Sequence, residues 1–174
     1  MKILARAALL ILAVWPAAHA GPVLVLPIPG LTAGTGTTVG WGFSITNDSD
    51  WLEVTSANFC LGSSGTETLC LPPTLGVFTD FISGFNDIIV GPFPDSVVVA
   101  QPFSDGAHTG IGSFLITASS GGPDIGQIVL TYNLFSRSPN DPDFNPDTDV
   151  LSNDNFLTAS ASVSLSSGEV PACS

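Results

Sequence analysis

The densest group of side chains that could do chemistry lies in one proline-rich segment, residues 138–149. Oxygen-bearing side chains stand at every second position along it: Asp141, Asp143, Asn145, Asp147 and Asp149. This spacing suits Ca²⁺, which takes about six to eight oxygen ligands from carboxylates, amides and carbonyls. The five residues predict a calcium site, and Ca²⁺ is the one cofactor that the sequence suggests.

The segment departs from the EF-hand calcium loop at two positions. Pro146 stands where that loop requires glycine, and Ser152 stands where it requires a bidentate glutamate. A site here would be irregular and would draw on Asp124, Asn153 or Asp154. A solvated turn is the favoured interpretation of the segment and calcium binding the alternative, because Asp, Asn and Pro are turn-forming residues. The three prolines of the segment predict that it contains neither helix nor central strand.

Other catalytic chemistry finds little support in the sequence. His108 is the one histidine after residue 20, and no Gly-x-Ser-x-Gly nucleophile turn accompanies it. A hydrolase that uses two carboxylates leaves no local signature, so it remains the least favoured alternative. Trp41, Trp51 and Phe59 would suit a sugar-stacking face, although aromatic residues on strands more often belong to a core. We predict that the protein is not an enzyme.

Two of the three cysteines flank a short segment with a turn signal. Cys60 and Cys70 enclose Gly62 and Gly65, so a hairpin would bring the two thiols together. We predict a Cys60–Cys70 disulfide, which in the chain-entropy model contributes roughly 2–3 kcal/mol. Cys173 is left without an obvious partner.

The first 20 residues have the order of a secretory signal peptide. Lys2 and Arg6 precede a short apolar run, and Ala18 and Ala20 fit the small-x-small cleavage pattern. No later apolar run is long enough to span a membrane. Beyond residue 20, Arg137 is the one Lys or Arg beside 15 Asp and Glu, a balance that repels nucleic acid. The sequence therefore predicts a secreted protein of the extracellular space, periplasm or cell envelope.

Short alternating segments separated by Gly and Pro turns predict an all-β domain. The clearest strand, residues 38–45, places Val39, Trp41, Phe43 and Ile45 on one face and should form a hairpin with residues 51–59. Residues 127–136 are apolar on both faces, which predicts a central strand. Other strands are expected at 23–28, 87–90, 96–101, 111–118 and 158–165. Residues 76–83 fit neither period and predict a short helix or a packed loop.

These elements predict an antiparallel β-sandwich, Ig-like or jelly-roll, of eight to nine short strands. A single domain would cover residues 21–167, and residues 168–174 would form a flexible tail.

Residues 126–149 resemble a group of exported bacterial proteins of unknown function that commonly carry a PEP-CTERM sorting tail. Residues 43–47, 76–83 and 110–114 are also similar to that group. The resemblance covers most of the chain after residue 20, and it implies export without supplying catalytic residues. The tail motif Val-Pro-Glu-Pro begins at Val170 and Pro171, but Ala172 and Cys173 replace the rest. The resemblance therefore implies a lost or truncated sorting tail.

Together these observations predict a secreted, non-catalytic protein with a structural or interaction role at the cell envelope or in the extracellular matrix. Its expected partners are extracellular polysaccharide or envelope proteins. The alternative function is a Ca²⁺-dependent module that binds carbohydrate or another ligand.

Overall fold

The computed structural model describes residues 21–62, 70–84, 88–92 and 98–166. The expected signal peptide, the expected tail with Cys173, and most of the turn between Cys60 and Cys70 lie outside the described residues. The domain prediction is therefore addressed only between residues 21 and 166.

The described chain is all-β, with eleven strands and one helical turn. The strands are β1 (Val23–Val25), β2 (Gly30–Ala33), β3 (Thr38–Trp41), β4 (Phe43–Thr46), β5 (Trp51–Leu61), β6 (Gly76–Asp80), β7 (Ile88–Val90), β8 (Val99–Gln101), β9 (Gly112–Ile116), β10 (Asp124–Phe135) and β11 (Val150–Leu165); the helical turn is α1 (Pro146–Asp149). The all-β prediction is confirmed, but the predicted number of eight to nine strands is too low.

The strands form three sheets. The largest has the order β2-β11-β10-β5-β7, and two three-stranded sheets have the orders β1-β4-β8 and β3-β9-β6. Every pairing between the named strands is antiparallel except β2 with β11, which is parallel. The predicted antiparallel character holds for the described strands apart from this one pair.

Strand β10 is the centre of the large sheet, as its apolar sequence predicts. It pairs with β11 along one edge and with β5 along the other. Ile128, Val129 and Leu130 are completely buried, which means that both faces of the strand are covered. At 3.3–3.4 Å per residue, a strand of 12 residues spans roughly 40 Å, so its two ends lie far apart.

The segment 38–45 is not one strand, and its predicted hairpin with residues 51–59 is wrong. The chain breaks at Gly42: β3 pairs with β9, whereas β4 pairs with β1 and β8. A Cβ at Gly42 would lie 2.8 Å from the carbonyl oxygen of Gln101, so the crossing point requires glycine. Strand β5 pairs instead with β10 and β7.

One further prediction for the middle of the chain changes, and two expected strands are present. Residues 76–80 form β6, an edge strand beside β9, where we expected a helix or a loop. The strands expected at 87–90 and 96–101 exist as β7 and β8, but they belong to different sheets. Alternation along a short strand does not say which neighbour it pairs with, because any partner preserves the two-residue period.

The core is one apolar cluster built from all three sheets. Its centre holds the rings of Trp41, Phe59 and Phe114, with centroid separations of 5.1 Å for Trp41–Phe59 and 5.9 Å for Phe59–Phe114. Trp41 and Phe59 are at most 2% exposed, so they do not form a surface for stacking sugars. Trp51 is half-buried. Among the described residues, no helix is long and apolar enough to cross a membrane.

Candidate functional site

The acidic segment connects β10 to β11 at one end of the large sheet. Phe135 at the end of β10 pairs with Trp51 at the start of β5, so the turn before β5 lies at the same end. That turn carries Asp48 and Asp50, which makes this end of the sheet strongly acidic. We call residues 136–149 the acidic loop.

Arg137 lies at the centre of the acidic loop. Its guanidinium nitrogens are 3.6 Å from Asp141 Oδ1, 3.8 Å from Asp143 Oδ2 and 4.0 Å from Asp149 Oδ2. The Arg137 side chain is 44% exposed and that of Asp143 is 86% exposed, so solvent screens these ion pairs. The positive charge nearest to the carboxylates is therefore a side chain of the loop itself.

A single helical turn completes the acidic loop, contrary to the prediction from its prolines. Asn145 is the N-cap, and its Oδ1 accepts a hydrogen bond from the Asp147 backbone N–H at 3.0 Å. Pro146 occupies the first helical position, where proline is favoured because its missing N–H would have no helical partner. Asp149 Oδ2 accepts a hydrogen bond from the Asn145 backbone N–H at 2.8 Å. The Asn145 cap and the Asp149 carboxylate therefore stabilise the two ends of this helical turn.

An aromatic contact fixes the acidic loop to the sheet. The ring of Phe144 meets the buried ring of Phe135 edge-on, with the centroids 5.3 Å apart. The backbone N–H of Phe144 also donates to the Asp141 carbonyl at 2.9 Å. The loop is therefore held by its own side chains and by β10.

The structure brings together three of the five predicted ligands. Asp141, Asp143 and Asp149 surround Arg137, whereas Asn145 caps the helical turn and Asp147 faces solvent. Across the described ranges, no group of three or more His, Cys, Asp or Glu side chains has an arrangement that would hold a metal ion. The calcium site stays a prediction, and the guanidinium of Arg137 lies between three of its five proposed ligands. Arg137 was missed as part of the site, although its position as the one basic residue after residue 20 was a usable signal.

Asp124, an additional candidate ligand, lies at the opposite end of β10. It is 3% exposed, and its carboxylate accepts hydrogen bonds from Thr74 N at 2.8 Å, Thr74 Oγ1 at 2.6 Å and Leu75 N at 2.8 Å. These contacts tie the segment before β6 to the start of β10. Sequence reasoning could not identify this role, because an Asp after Gly and Pro resembles an ordinary turn residue.

Asp80 performs a similar task at the end of β6. Its carboxylate accepts hydrogen bonds from the backbone N–H of Ala57 at 3.1 Å and of Ile82 at 2.7 Å, and from Ser83 Oγ at 2.6 Å. The contact with Ala57 joins the edge of β6 to β5. Buried backbone donors need such partners, since leaving one unsatisfied costs about 1–3 kcal/mol.

The predicted disulfide is present near the Asp124 end of the sheet. The Sγ atoms of Cys60 and Cys70 are 1.95 Å apart and their Cα atoms 4.7 Å apart. Cys60 is completely buried and pairs with Gln127 of β10. The bond therefore anchors the chain after β5 close to the Asp124 contacts.

His108, the lone histidine after residue 20, lies in a tight turn on the surface. Its backbone has a positive φ of 50°, and its ring meets Phe81 edge-on with the centroids 5.0 Å apart. Ser104 and Thr109 bridge across this turn by two backbone hydrogen bonds of 3.1 Å. The placement makes His108 part of a packed turn.

No protein-family model matches the sequence, and no curated protein is similar to it.

Proposed function

We propose that this chain is an exported, non-catalytic β protein with a structural or interaction role at the cell envelope or in the extracellular matrix. The observation that carries the proposal is that the carboxylates described below are engaged in contacts within the protein. Asp80 and Asp124 are saturated by backbone and hydroxyl donors, and three carboxylates of the acidic loop share Arg137. A general acid or base has to exchange protons with a substrate, and a carboxylate committed to fixed donors is poorly suited to that task.

Export is supported by the order of basic, apolar and small residues in positions 1–20 and by the Cys60–Cys70 bond. Disulfides persist in oxidising compartments such as the periplasm and the extracellular space. The resemblance to exported proteins with PEP-CTERM sorting tails belongs to the same proposal. Expression with residues 1–20, followed by mass spectrometry of the exported product, should give an N-terminus at Gly21. Retention of uncleaved protein in the cytoplasm would contradict export.

We further propose that the three sheets form a distorted β-sandwich. The large sheet would be one layer, and β1-β4-β8 with β3-β9-β6 would together be the other. The proposal rests on the shared core: Leu130 of the large sheet, Ile45 of the first small sheet and Phe114 of the second are all completely buried in one cluster. Two packed layers around one core are the usual solution for sheets with one apolar face.

The interaction role is tested with the extracellular polysaccharide of the producing cells. Purified protein should co-sediment with this polysaccharide or with envelope proteins, while the number of reducing ends in the polysaccharide stays constant. A rise in reducing ends that disappears on Asp→Asn substitution would overturn the non-catalytic assignment and favour a carboxylate hydrolase.

A Ca²⁺-dependent binding module is the second candidate, and the exposed Asp147 carboxylate favours it. Asp147 lies in the same helical turn as Asp149 of the Arg137 cluster, and its exposed carboxylate could supply a further oxygen ligand. Thermal melting in millimolar Ca²⁺ and in EDTA tests this alternative, since a ligand that binds the folded state raises its melting temperature. Identical midpoints would remove it. A glycan array with and without Ca²⁺ then separates metal-dependent from metal-independent binding.

A further inference from the structure

A cleft opens where the chain passes from one small sheet to the other at Gly42. Its volume is about 490 Å³, and its walls come from three segments: the chain after β1, the β3–β4 crossing, and the end of β8. Small-molecule sites in proteins have volumes of about 300–1,000 Å³ and are mostly apolar. The cleft therefore has the size and composition of a ligand site.

Two glycines allow the cleft to exist in this form. A Cβ at Gly40 would lie 2.2 Å from the ring of Phe103, and one at Gly42 would lie 2.8 Å from the Gln101 carbonyl oxygen. Any other residue at either position would push the segment after β8 away from the strand. The Phe103 ring also stacks on Phe81, with the planes 9° apart and the centroids separated by 6.3 Å. Phe103 is thus a fixed wall of the cleft.

An uncharged aliphatic surface continues from the cleft across the sheet β1-β4-β8. Val25 and Ala100 both lie opposite Ser44 and share its face of the sheet, and Val25 is 50% exposed. Ile28, which lines the cleft, is 66% exposed. None of the three strands contains a charged residue, although the chain as a whole has a formal charge of −12.

The side chains that line the cleft on the Ala100 side of β8 are apolar. Gln101 lies opposite Phe43, whereas Ala100 lies opposite Ser44, so the Gln101 side chain points to the other face of the sheet. There its Oε1 accepts a hydrogen bond from the Gly110 backbone N–H at 3.3 Å.

The size and charge of this region decide what kind of occupant it fits. A stable protein–protein interface needs about 20–30 residues on each side, far more than this three-stranded face offers. An anionic ligand would be repelled by the acidic chain, and a cationic one would find no carboxylate among the cleft residues. The occupant that remains is a small neutral molecule.

We propose that the cleft between Phe103 and Ala100 binds a neutral, largely apolar small molecule. The ligand lies against Phe103 and the exposed face of β8. This activity goes beyond the proposed envelope or matrix role and does not depend on export.

Fluorescence titration with Nile red, an uncharged apolar dye, tests the proposal on the purified protein. Wild type should give a saturable, blue-shifted signal. Ala100→Trp fills the cleft from an exposed strand position and should weaken binding at least tenfold. The matched control Leu151→Trp adds the same side chain at a 51%-exposed position on the large sheet and should bind as wild type.

A second variant keeps the test decisive if Ala100→Trp fails to fold, which circular dichroism would reveal. Ile28→Asp places a carboxylate at a 66%-exposed position that lines the cleft, so we expect about fivefold weaker binding of a neutral apolar ligand. An anionic dye of similar size should bind more weakly than Nile red. The proposal is overturned by non-saturable binding to wild type, by wild-type affinity in both cleft variants, or by preference for the anionic dye.

Discussion

The two ends of β10 hold carboxylates in opposite ways. At the start of the strand, Asp124 is 3% exposed and accepts three hydrogen bonds from neutral donors. Beyond its end, Asp141, Asp143 and Asp149 are arranged around the partly exposed Arg137. The first arrangement is a single carboxylate with no ion-pair partner among the described residues, and the second contains several carboxylates open to solvent.

This difference indicates which acidic residues contribute most to the stability of the fold. A hydrogen bond to a charged group contributes about 1.5–3 kcal/mol when buried, whereas an exposed ion pair contributes about 0.2–1 kcal/mol. The dense and conspicuous group of aspartates is therefore expected to contribute less to stability than the single Asp124. The disulfide strengthens this asymmetry, because Cys60 lies opposite Gln127 near the Asp124 end.

The largest effect is expected from Asp124→Ala. It would leave the N–H groups of Thr74 and Leu75 without their acceptor, so we expect a loss of about 3–4 kcal/mol in the free energy of unfolding. Urea denaturation measures it. Asp124→Asn, which retains carbonyl acceptance, is the control and should lose clearly less. A loss below about 1 kcal/mol for Asp124→Ala would contradict the expectation that Asp124 contributes more to stability than the acidic loop.

Removal of the disulfide should come next. The double variant Cys60→Ser, Cys70→Ser is expected to lose roughly 2–3 kcal/mol, because the short loop is no longer closed in the unfolded chain. The same urea titration compares it with wild type, and reduced wild-type protein serves as the control. Equal stability of the oxidised and reduced proteins would show that the bond does not support this end of the sheet.

Arg137→Gln should have a small effect on stability. Its three partners are at least 3.6 Å away and the guanidinium is 44% exposed, so we expect a loss of about 0.5–1 kcal/mol. The loss should shrink further in 1 M salt, which screens exposed charges. Arg137→Lys, which keeps the charge, is the control. A loss as large as that of Asp124→Ala would reverse the comparison.

Thr131, in the middle of β10, tests on a smaller scale whether a buried polar group needs a hydrogen-bond partner. Its Oγ1 is buried and makes no hydrogen bond with the described part of the chain. Thr131→Val replaces this hydroxyl by a methyl group of similar shape, so stability should stay equal or rise by up to about 1 kcal/mol. Thr131→Ser keeps the hydroxyl, loses the methyl group and should be destabilised. A clear loss in Thr131→Val would indicate that the hydroxyl has a partner.

The ionisation of Tyr132 should not affect the free energy of unfolding at neutral pH, but it should lower this free energy in alkaline solution. Burial raises the pKa of its hydroxyl above the usual 10.0. A raised pKa in the folded state stabilises the protein below the unfolded pKa, and the contribution is lost as pH rises through the folded pKa. Stability should therefore fall above pH 10, and Tyr132→Phe should flatten the curve in that window. Parallel curves for both proteins would contradict this.

Sequence reasoning was most successful where the residues carry their own period or turn. The apolar faces of β10 predicted a central strand, and the glycines between Cys60 and Cys70 led to the prediction of the disulfide that joins these two residues. It failed at residues 38–45, because the alternation of Val39, Trp41, Phe43 and Ile45 continues unchanged through the crossing at Gly42. A strand that changes sheets keeps its inward and outward faces, so periodicity alone could not show the break.

Only part of the candidate site could be predicted, because its geometry also depends on contacts that the local sequence does not show. The aspartates were visible as a cluster, but their orientation around Arg137 depends on the cap at Asn145 and on the Phe135–Phe144 contact. The role of Asp124 depends on Thr74 and Leu75, which are about 50 residues away along the chain. Contacts at such separations have no local signature, so they become visible only in the folded protein.

The most direct test of the central claim is a side-by-side urea titration of two variants. One is Asp124→Ala, and the other is the triple variant Asp141→Asn, Asp143→Asn, Asp149→Asn, which discharges the partners of Arg137. We predict that the single substitution costs at least about 2 kcal/mol more than the triple one, with equal denaturant slopes. A triple variant that loses as much stability as Asp124→Ala would contradict the claim that the buried carboxylate, and not the acidic loop, holds the fold.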